Sequence, residues 1–469
     1  MRHLLSLTVL APALGAIAIA VAGSNSRRAR VPALVSTTVA MVCALLMWVR
    51  FVPRGDEWQF LREIDLSAAI PLRYAVGVDG LSLTLILVAT AIAAASALWV
   101  WGRGMDGQGG RMWIALLLVE TGVVGALASL DVLQFAIFWL LAMLAASTSI
   151  RDPGEGRSAR AAIALSVLAG ATLVLVLVVL HVRYRALAGY GTFDLRALAT
   201  AALAPSPQRW LFAALLLPLA LPLGLTFVQL RALRVDEPMD AGRVVALVFL
   251  STLLCQTGTY LLVRFGMTVL PDAVRTFSPF LIGACALGAV AAAVAAIAQT
   301  DIARLAVFAG VSQYTLALFR AFALTPEAIT GAVVQQAVQA MSTAALLFAA
   351  AAVAERFGTR SIAGIRAAAG GGSIVSASTI AGARERLAFA AFVLVVAGIG
   401  IWPAPLLARL ETSVARVVLR VSPEYAPQVA DCLSRPPKPP DPAETGLPAG
   451  MVIAAPCATD QSGTHDAKK

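Results

Sequence analysis

The sequence predicts an all-α polytopic membrane protein with about twelve transmembrane helices. Three observations predict it. Apolar runs of roughly 20 residues recur from end to end, each long enough as a helix to cross a bilayer core. The 469 residues are 59% hydrophobic and only 13% charged, with a mean hydropathy of +0.83, where a soluble domain carries about 25% charged residues. Alanine and leucine fill the runs without strand-like alternation, which favours helices over barrel strands.

In chain order, the runs fall near 4–22, 32–52, 77–101, 112–129, 131–150, 160–182, 210–230, 244–265, 279–298, 302–323, 328–354 and 387–408. The first is long, and Gly23–Arg30 offers no convincing small-residue cleavage site, so it reads as a retained helix, with a cleaved leader as the alternative. A longer loop of mixed charge comes after the second run, near Phe51–Val76. The fourth and fifth runs meet at Asp131, which suits an N-cap of the fifth. Another long loop, Arg183–Arg209, holds the breaker Pro205-Ser206-Pro207. Pro218 and Pro222 interrupt the seventh run. Such prolines can free carbonyls along a transport path, but with no charge nearby a kink in a packing helix is the better reading. Gly364–Arg386 is rich in Gly, Ala and Ser and reads as a cytoplasmic linker. From Ser422 onward the chain is rich in Pro and polar residues and is expected to lack a fold.

Arginines at Arg27, Arg28, Arg30, Arg103, Arg111, Arg151, Arg157, Arg160, Arg231, Arg234, Arg243, Arg356, Arg360, Arg366, Arg384 and Arg386 favour an N-terminus outside, and an even number of spans puts the C-terminus outside as well. The net charge of +10 is scattered over these loops, so it sets topology and does not indicate a nucleic-acid partner. The five cysteines show no C-x-x-C spacing, and His3, His181 and His465 lie outside the span centres. No metal set, disulfide framework, phosphate loop or nucleophile elbow is present. The chain therefore carries no expected catalytic residue, cofactor site or metal site of its own.

One carboxylate, Glu120, sits near the centre of a clear span. An unpaired charge there costs about 2.5–3.5 kcal/mol even on the gentler insertion scale, so Glu120 is neutral, paired, or faces a hydrated cavity. It reads either as a proton-relay group or as a hydrogen-bonded packing group. Gln256, Gln313, Gln335, Gln336 and Gln339 add neutral amides in later spans, and Gln299 closes the ninth. Asp301 and Arg304 are spaced to pair on one helix turn. The relay candidates are thus Glu120, Gln256, Asp301, Arg304, Gln313 and Gln339. All three lysines, Lys438, Lys468 and Lys469, lie in the tail. Arginine stays charged at accessible pH and cannot take a lysine's place as a proton carrier.

The order Glu120, Gly125, Asp131, Phe135, Phe138, Trp139 resembles the fourth and fifth helices of the antiporter-like, proton-conducting membrane subunits of respiratory complex I, most nearly the subunit M (mitochondrial subunit 4) branch. Other stretches resemble the family in the same order: Gly77-Val78-Asp79-Gly80-Leu81-Ser82, Gly258 to Phe265, Ala298 to Leu305, Val311-Ser312-Gln313, Glu355 to Arg360, and Gly400 to Leu406. The departures are equally specific. Leu140 stands where the family has a glutamate after the fifth-helix Trp. Ala220, before Pro222, stands for its buried lysine. Ala303 and Gln339 replace a lysine and a histidine.

The resemblance implies an antiporter-like bundle whose second inverted repeat is incomplete. The corresponding divisions are 1–110, a first repeat at 111–265, a shortened second repeat with a final helix at 266–410, and a tail at 411–469. It also implies a membrane-arm subunit of a complex I-like NADH-quinone oxidoreductase in a bacterial inner membrane. Its partners would be other membrane subunits, lipid and protons, and its own proton relay would be largely lost. The alternatives are a subunit of a multi-subunit cation/proton antiporter or membrane-bound hydrogenase, and a purely structural assembly protein.

Overall fold

A computed structural model describes residues 3–23, 26–65, 73–101, 109–149, 157–201, 203–232, 241–368 and 403–425, with isolated positions beyond. Ten helices among them are long and apolar enough to span a membrane, and an eleventh, Val132–Thr148, is slightly shorter. The helices are α1 (Leu4–Val21), α2 (Ser26–Arg50), α3 (Gly80–Trp101), α4 (Gly109–Ala128), α5 (Val132–Thr148), α6 (Arg157–Ala188), the short α7 (Leu195–Leu198) and α8 (Pro205–Ala232). They continue with α9 (Ala241–Val269), α10 (Pro271–Ile297), α11 (Ile302–Phe322), α12 (Pro326–Phe357), the short α13 (Ile362–Ala368) and α14 (Ala404–Val421). The first eleven expected spans each coincide with one of these helices.

Three local expectations are corrected, and a fourth falls outside the described residues. The loop expected at Phe51–Val76 contains an antiparallel hairpin, β1 (Gln59–Asp65) with β2 (Arg73–Val78), paired Asp65 to Arg73 and irregular between Gln59 and Arg62. Its charged sequence looks like a loop because the pairing and the docking that bury β2 are not local. Pro205 and Pro207 do not lie in a loop: they occupy the first turn of α8, where a proline's missing N–H has no helical partner to lose. Most of the twelfth expected span, 387–408, lies outside the described residues: 387–396 and 398–402 are not among them, and α14 is the next helix described, amphipathic in sequence. Finally, residues 411–421, expected in the tail, are the helical second half of α14, where Leu410, Val414, Val417, Val418 and Val421 bury one face. The linker expected from Gly364 begins as α13, and its part from 369 lies outside the described residues, as does the chain from 430.

Two three-helix units repeat. In the first, α4 and α5 pack together and α6 joins α5. Asp131 caps α5, accepting from the backbone N–H of Leu133 and Gln134 at 2.9 and 3.0 Å. The chain after α6 returns to pair Asp131 with Asp194: Val132 N–H donates to Phe193 O at 2.8 Å, and Leu195 N–H to Leu130 O at 2.9 Å. The second unit repeats each step. Asp301 caps α11 through the N–H of Ala303 and Arg304. After α12, Asp301 pairs with Ser361; Ile302 N–H donates to Arg360 O at 3.2 Å, and Ile362 N–H to Thr300 O at 2.9 Å. A short helix closes each unit, α7 in the first and α13 in the second. The Asp131 turn adjoins the hairpin, through the Val76–Ser129 bridge. The intervening helices carry the Asp301 turn to the other end of the bundle. The two units therefore run in opposite senses across the membrane, as inverted repeats do.

Close packing inside the first unit depends on glycine. A Cβ on Gly122 would lie 2.6 Å from Ala142 N and from Phe138 O, so only hydrogen lets α4 approach the α5 backbone. Large side chains such as Trp113, Phe135, Trp139, Tyr260 and Tyr314 fill the centre. Exposed Leu14, Val35, Leu175, Phe280 and Ile297 cover the outer faces of α1, α2, α6 and α10, which suits contact with lipid.

Candidate functional site

The site is a polar thread between α9 and α12. Helix α9 is not uniformly α-helical: Phe249–Leu253 and Leu262–Gly266 are π-helical turns. Each inserts a residue, shifts the carbonyl register, and leaves backbone groups for side chains to meet. Thr226 of α8 donates 2.9 Å to Pro222 O in its own helix and lies 3.2 Å from Leu250 O in the first π-turn. Gln339 of α12 donates to Ser251 O in that turn at 3.0 Å.

From there the thread continues along α12. Thr259 Oγ1 donates to Gln336 Oε1 at 2.8 Å, Gln336 Nε2 to Gln339 Oε1 at 2.9 Å, and Gln339 Nε2 also reaches Thr343 Oγ1 at 3.3 Å. Ser342 stands 3.3 Å from Gln313 Oε1 on α11. Gln336 and Gln339 are fully buried. The thread consists of amides, hydroxyls and backbone carbonyls. These groups polarise one another, but none of them gains or loses a proton at accessible pH.

The six relay candidates separate accordingly. Gln313 and Gln339 belong to the thread. Glu120 is fully buried on α4, which packs on α1, α3, α5 and the Leu254–Leu261 stretch of α9. Neither of its carboxylate oxygens has a hydrogen-bond partner among the described residues, and the same holds for both amide atoms of buried Gln256. Asp301 and Arg304 do not form the expected pair. Arg304 offers Asp301 its backbone N–H, while the ion pair of Asp301 is with Arg360, 3.3 Å away and equally buried. Cap geometry aims Asp301 inward, away from an i+3 partner on the helix surface. Of the other amides, Gln299 bonds within α10 to Ala295 O, and Gln335 accepts from Arg320.

Apart from Gln339, the positions named as departures are apolar here. Leu140 of α5 packs against Gly170 of α6, where a Cβ would lie 2.7 Å from the Leu140 side chain. Ala303 is buried under the Asp301 cap. Ala220 is exposed on α8, so its spacing from Pro222 does not identify a buried position. Pro218 and Pro222 lie inside an unbroken α8, in keeping with a packing role.

Thr259, Thr343 and the π-turns carry no distinguishing mark in the sequence. Thr259 lies within the Gly258 to Phe265 stretch, but nothing local reveals its partner 77 positions away. The same stretch supplies Arg264, which pairs with Asp79 from the Gly77 to Ser82 stretch and lies over the Trp58 ring, 4.6 Å from its centroid. Asp79 caps α3 reciprocally with Ser82, its carboxylate taking Ser82 N–H at 2.9 Å and its own N–H meeting Ser82 Oγ at 3.0 Å. Thus two pairs of resembling motifs meet in space as buried ion pairs, Asp79–Arg264 and Asp301–Arg360.

Comparison with known proteins gives a consistent picture. The family model described as "NADH:quinone oxidoreductase/Mrp antiporter, TM" matches residues 129–379. The chain is similar to NADH-ubiquinone oxidoreductase chain 4 of Arabidopsis thaliana, 25% identical over 362 residues that cover 76% of this chain and 71% of the relative. It is similar to NADH-quinone oxidoreductase subunit M of Mycobacterium tuberculosis, 24% identical over 397 residues, with the same shares covered. In fold it matches a chain of respiratory complex I from Thermus thermophilus, with a TM-score of 0.63 at 20% identity, over 89% of this chain and 88% of the other.

Proposed function

The chain belongs to the NADH:quinone oxidoreductase/Mrp antiporter transmembrane family, and from that premise we propose that it is a membrane-arm subunit of a complex I-like NADH-quinone oxidoreductase whose own proton relay is degenerate. Redox chemistry then resides in partner subunits. This chain supplies a packed helical element that transmits conformational and electrostatic change between its neighbours.

The observation that carries this reading is the thread itself. Its buried line is built from Thr259, Gln336, Gln339 and Thr343, and Leu140 and Ala303 occupy positions where the resemblance implies titratable groups. A path that moves protons needs side chains that take them up and release them. Glu120 is the single carboxylate buried mid-span among the described residues, and it stands apart from the thread with no described hydrogen bond.

The bacterial inner membrane is the proposed location, in keeping with the bacterial relative, with both termini on the outer side. The family description also covers Mrp antiporters, so a cation/proton antiporter subunit is the second reading. Identification of the subunits that copurify with the chain separates the two.

The test is proton flux in proteoliposomes holding the host complex, wild type against Glu120→Gln. Gln keeps the size and hydrogen-bonding character of a neutral Glu while removing titration. Flux per turnover is expected to stay within the scatter of the assay. A collapse of flux with quinone reduction intact refutes the degenerate relay.

A further inference from the structure

A second polar site lies at the hairpin end of the bundle, away from the thread. A cavity of about 400 Å³ opens where the segment before β1 meets α7, the end of α9 and the second half of α14. Its wall holds Arg196, Arg264, Arg416 and Arg420 against one carboxylate, Glu57. The four arginines are not equivalent. Arg196 is committed to structure, its guanidinium bonded to Asp194 and Glu63 at 2.7 and 2.6 Å.

Arg264 is 6% exposed; it pairs with Asp79, yet its Nε is buried without a hydrogen-bond partner. The indole Nε1 of Trp58, beneath the Arg264 guanidinium, is likewise buried and without one. Arg416 and Arg420 are one turn apart on α14. Arg416 reaches Glu57 only at 4.0 Å, and Arg420 donates to Ala199 O. The cavity therefore combines two arginines with donors to give, Arg416 and Arg420, with a wall formed by Arg264 and Trp58.

We propose that this cavity binds a phosphate oxyanion, carried either by an anionic phospholipid headgroup or by free inorganic phosphate. Forked guanidinium donors match tetrahedral oxyanions, and Arg264 and Trp58 line the same cavity beside them. The volume is that of a small-molecule site, larger than one phosphate group needs. The cavity lies at the helix ends, where headgroups sit, with an interfacial tryptophan in its wall. The site is independent of the redox reading above, since it draws on no residue of the thread.

The test uses the full chain in neutral detergent. Native mass spectrometry and thermal shift are recorded with phosphatidylglycerol, phosphatidylcholine and inorganic phosphate. A saturable single-site response to phosphatidylglycerol or to phosphate is expected, with none to phosphatidylcholine. Saturation by phosphatidylglycerol alone assigns the oxyanion to lipid; saturation by phosphate in competition with it assigns it to the free anion. Arg416→Gln and Arg420→Gln are each expected to weaken binding about fivefold, whereas Arg160→Gln, at the far end of α6, leaves it unchanged. Arg416→Lys, which keeps the charge and removes the forked donors, also weakens binding and serves if either glutamine variant fails to fold. Equal binding of phosphatidylcholine, or affinity unchanged in the folded variants, overturns the proposal.

Discussion

Replacing Gln339 with Leu tests whether the amide thread holds α9 to α12. The change keeps approximate length and removes three hydrogen bonds: the one accepted from Gln336, and those donated to Ser251 O and Thr343 Oγ1. Only the bond to Ser251 O joins two helices, the other two lying within α12; at about 0.6 kcal/mol for each buried side-chain bond in the membrane, the loss of all three should cost about 2 kcal/mol. The Gln336 amide and the Ser251 carbonyl are left buried without these partners, which adds a desolvation penalty of about 1 kcal/mol or more. The total expected is about 3 kcal/mol. Gln336→Leu alone should behave similarly, since it strands Thr259 and Gln339. The double variant removes donor and acceptor together and should cost clearly less than the two single changes combined, with a coupling of about 1 kcal/mol or more. The assay is reversible unfolding of the full chain in mixed micelles with increasing denaturing detergent, monitored by tryptophan fluorescence. Single variants within 0.5 kcal/mol of wild type, or strict additivity, would refute the claim that these amides act as one network; the threshold is about one average bond.

Three further outcomes are expected. Burial pushes the Asp131 carboxyl up to about 6 against the pull of the Gln134 and Leu133 N–H groups. The folded state therefore binds more protons than the unfolded one between about pH 4 and 6, and stability falls as pH rises through that window. Asn caps a helix as well as Asp, so Asp131→Asn should flatten the dependence of Tm on pH and equal or exceed wild type at pH 8 by about 1–3 kcal/mol; an unaltered pH profile would count against it. Arg360→Ala leaves Asp301 buried without its ion-pair partner and should cost about 3–5 kcal/mol in the same unfolding assay. Gly122→Ala should destabilise by about 1–3 kcal/mol, and more than Gly125→Ala. At Gly122 the new Cβ meets α5 backbone, whereas at Gly125 it meets the Phe138 ring, which can turn.

Much of the architecture was legible because hydrophobic runs are a local property. A bilayer demands about 20 apolar residues per crossing, and eleven such runs are helices, the largest offset being at the start of α10, Pro271 against an expected 279. Asp131 was readable as a cap for the same reason: its partners are the next two or three N–H groups. The scarcity of titratable groups at these places was legible too, since Leu140, Ala303 and the absence of lysine before Lys438 are facts of composition.

What only the tertiary structure decided involves partners far apart in sequence. Asp301 binds Arg360 rather than Arg304, Asp79 finds Arg264, and Thr259, Gln336 and Gln339 meet across a π-turn that no local pattern announces. The β-hairpin escaped for the same reason: its short strands, QFLREID and RYAVGV, are stabilised by pairing and docking, not by propensity. Hydropathy records how each residue meets lipid or water. Hydrogen bonds and ion pairs record how residues meet one another, and that is fixed only when the helices have packed.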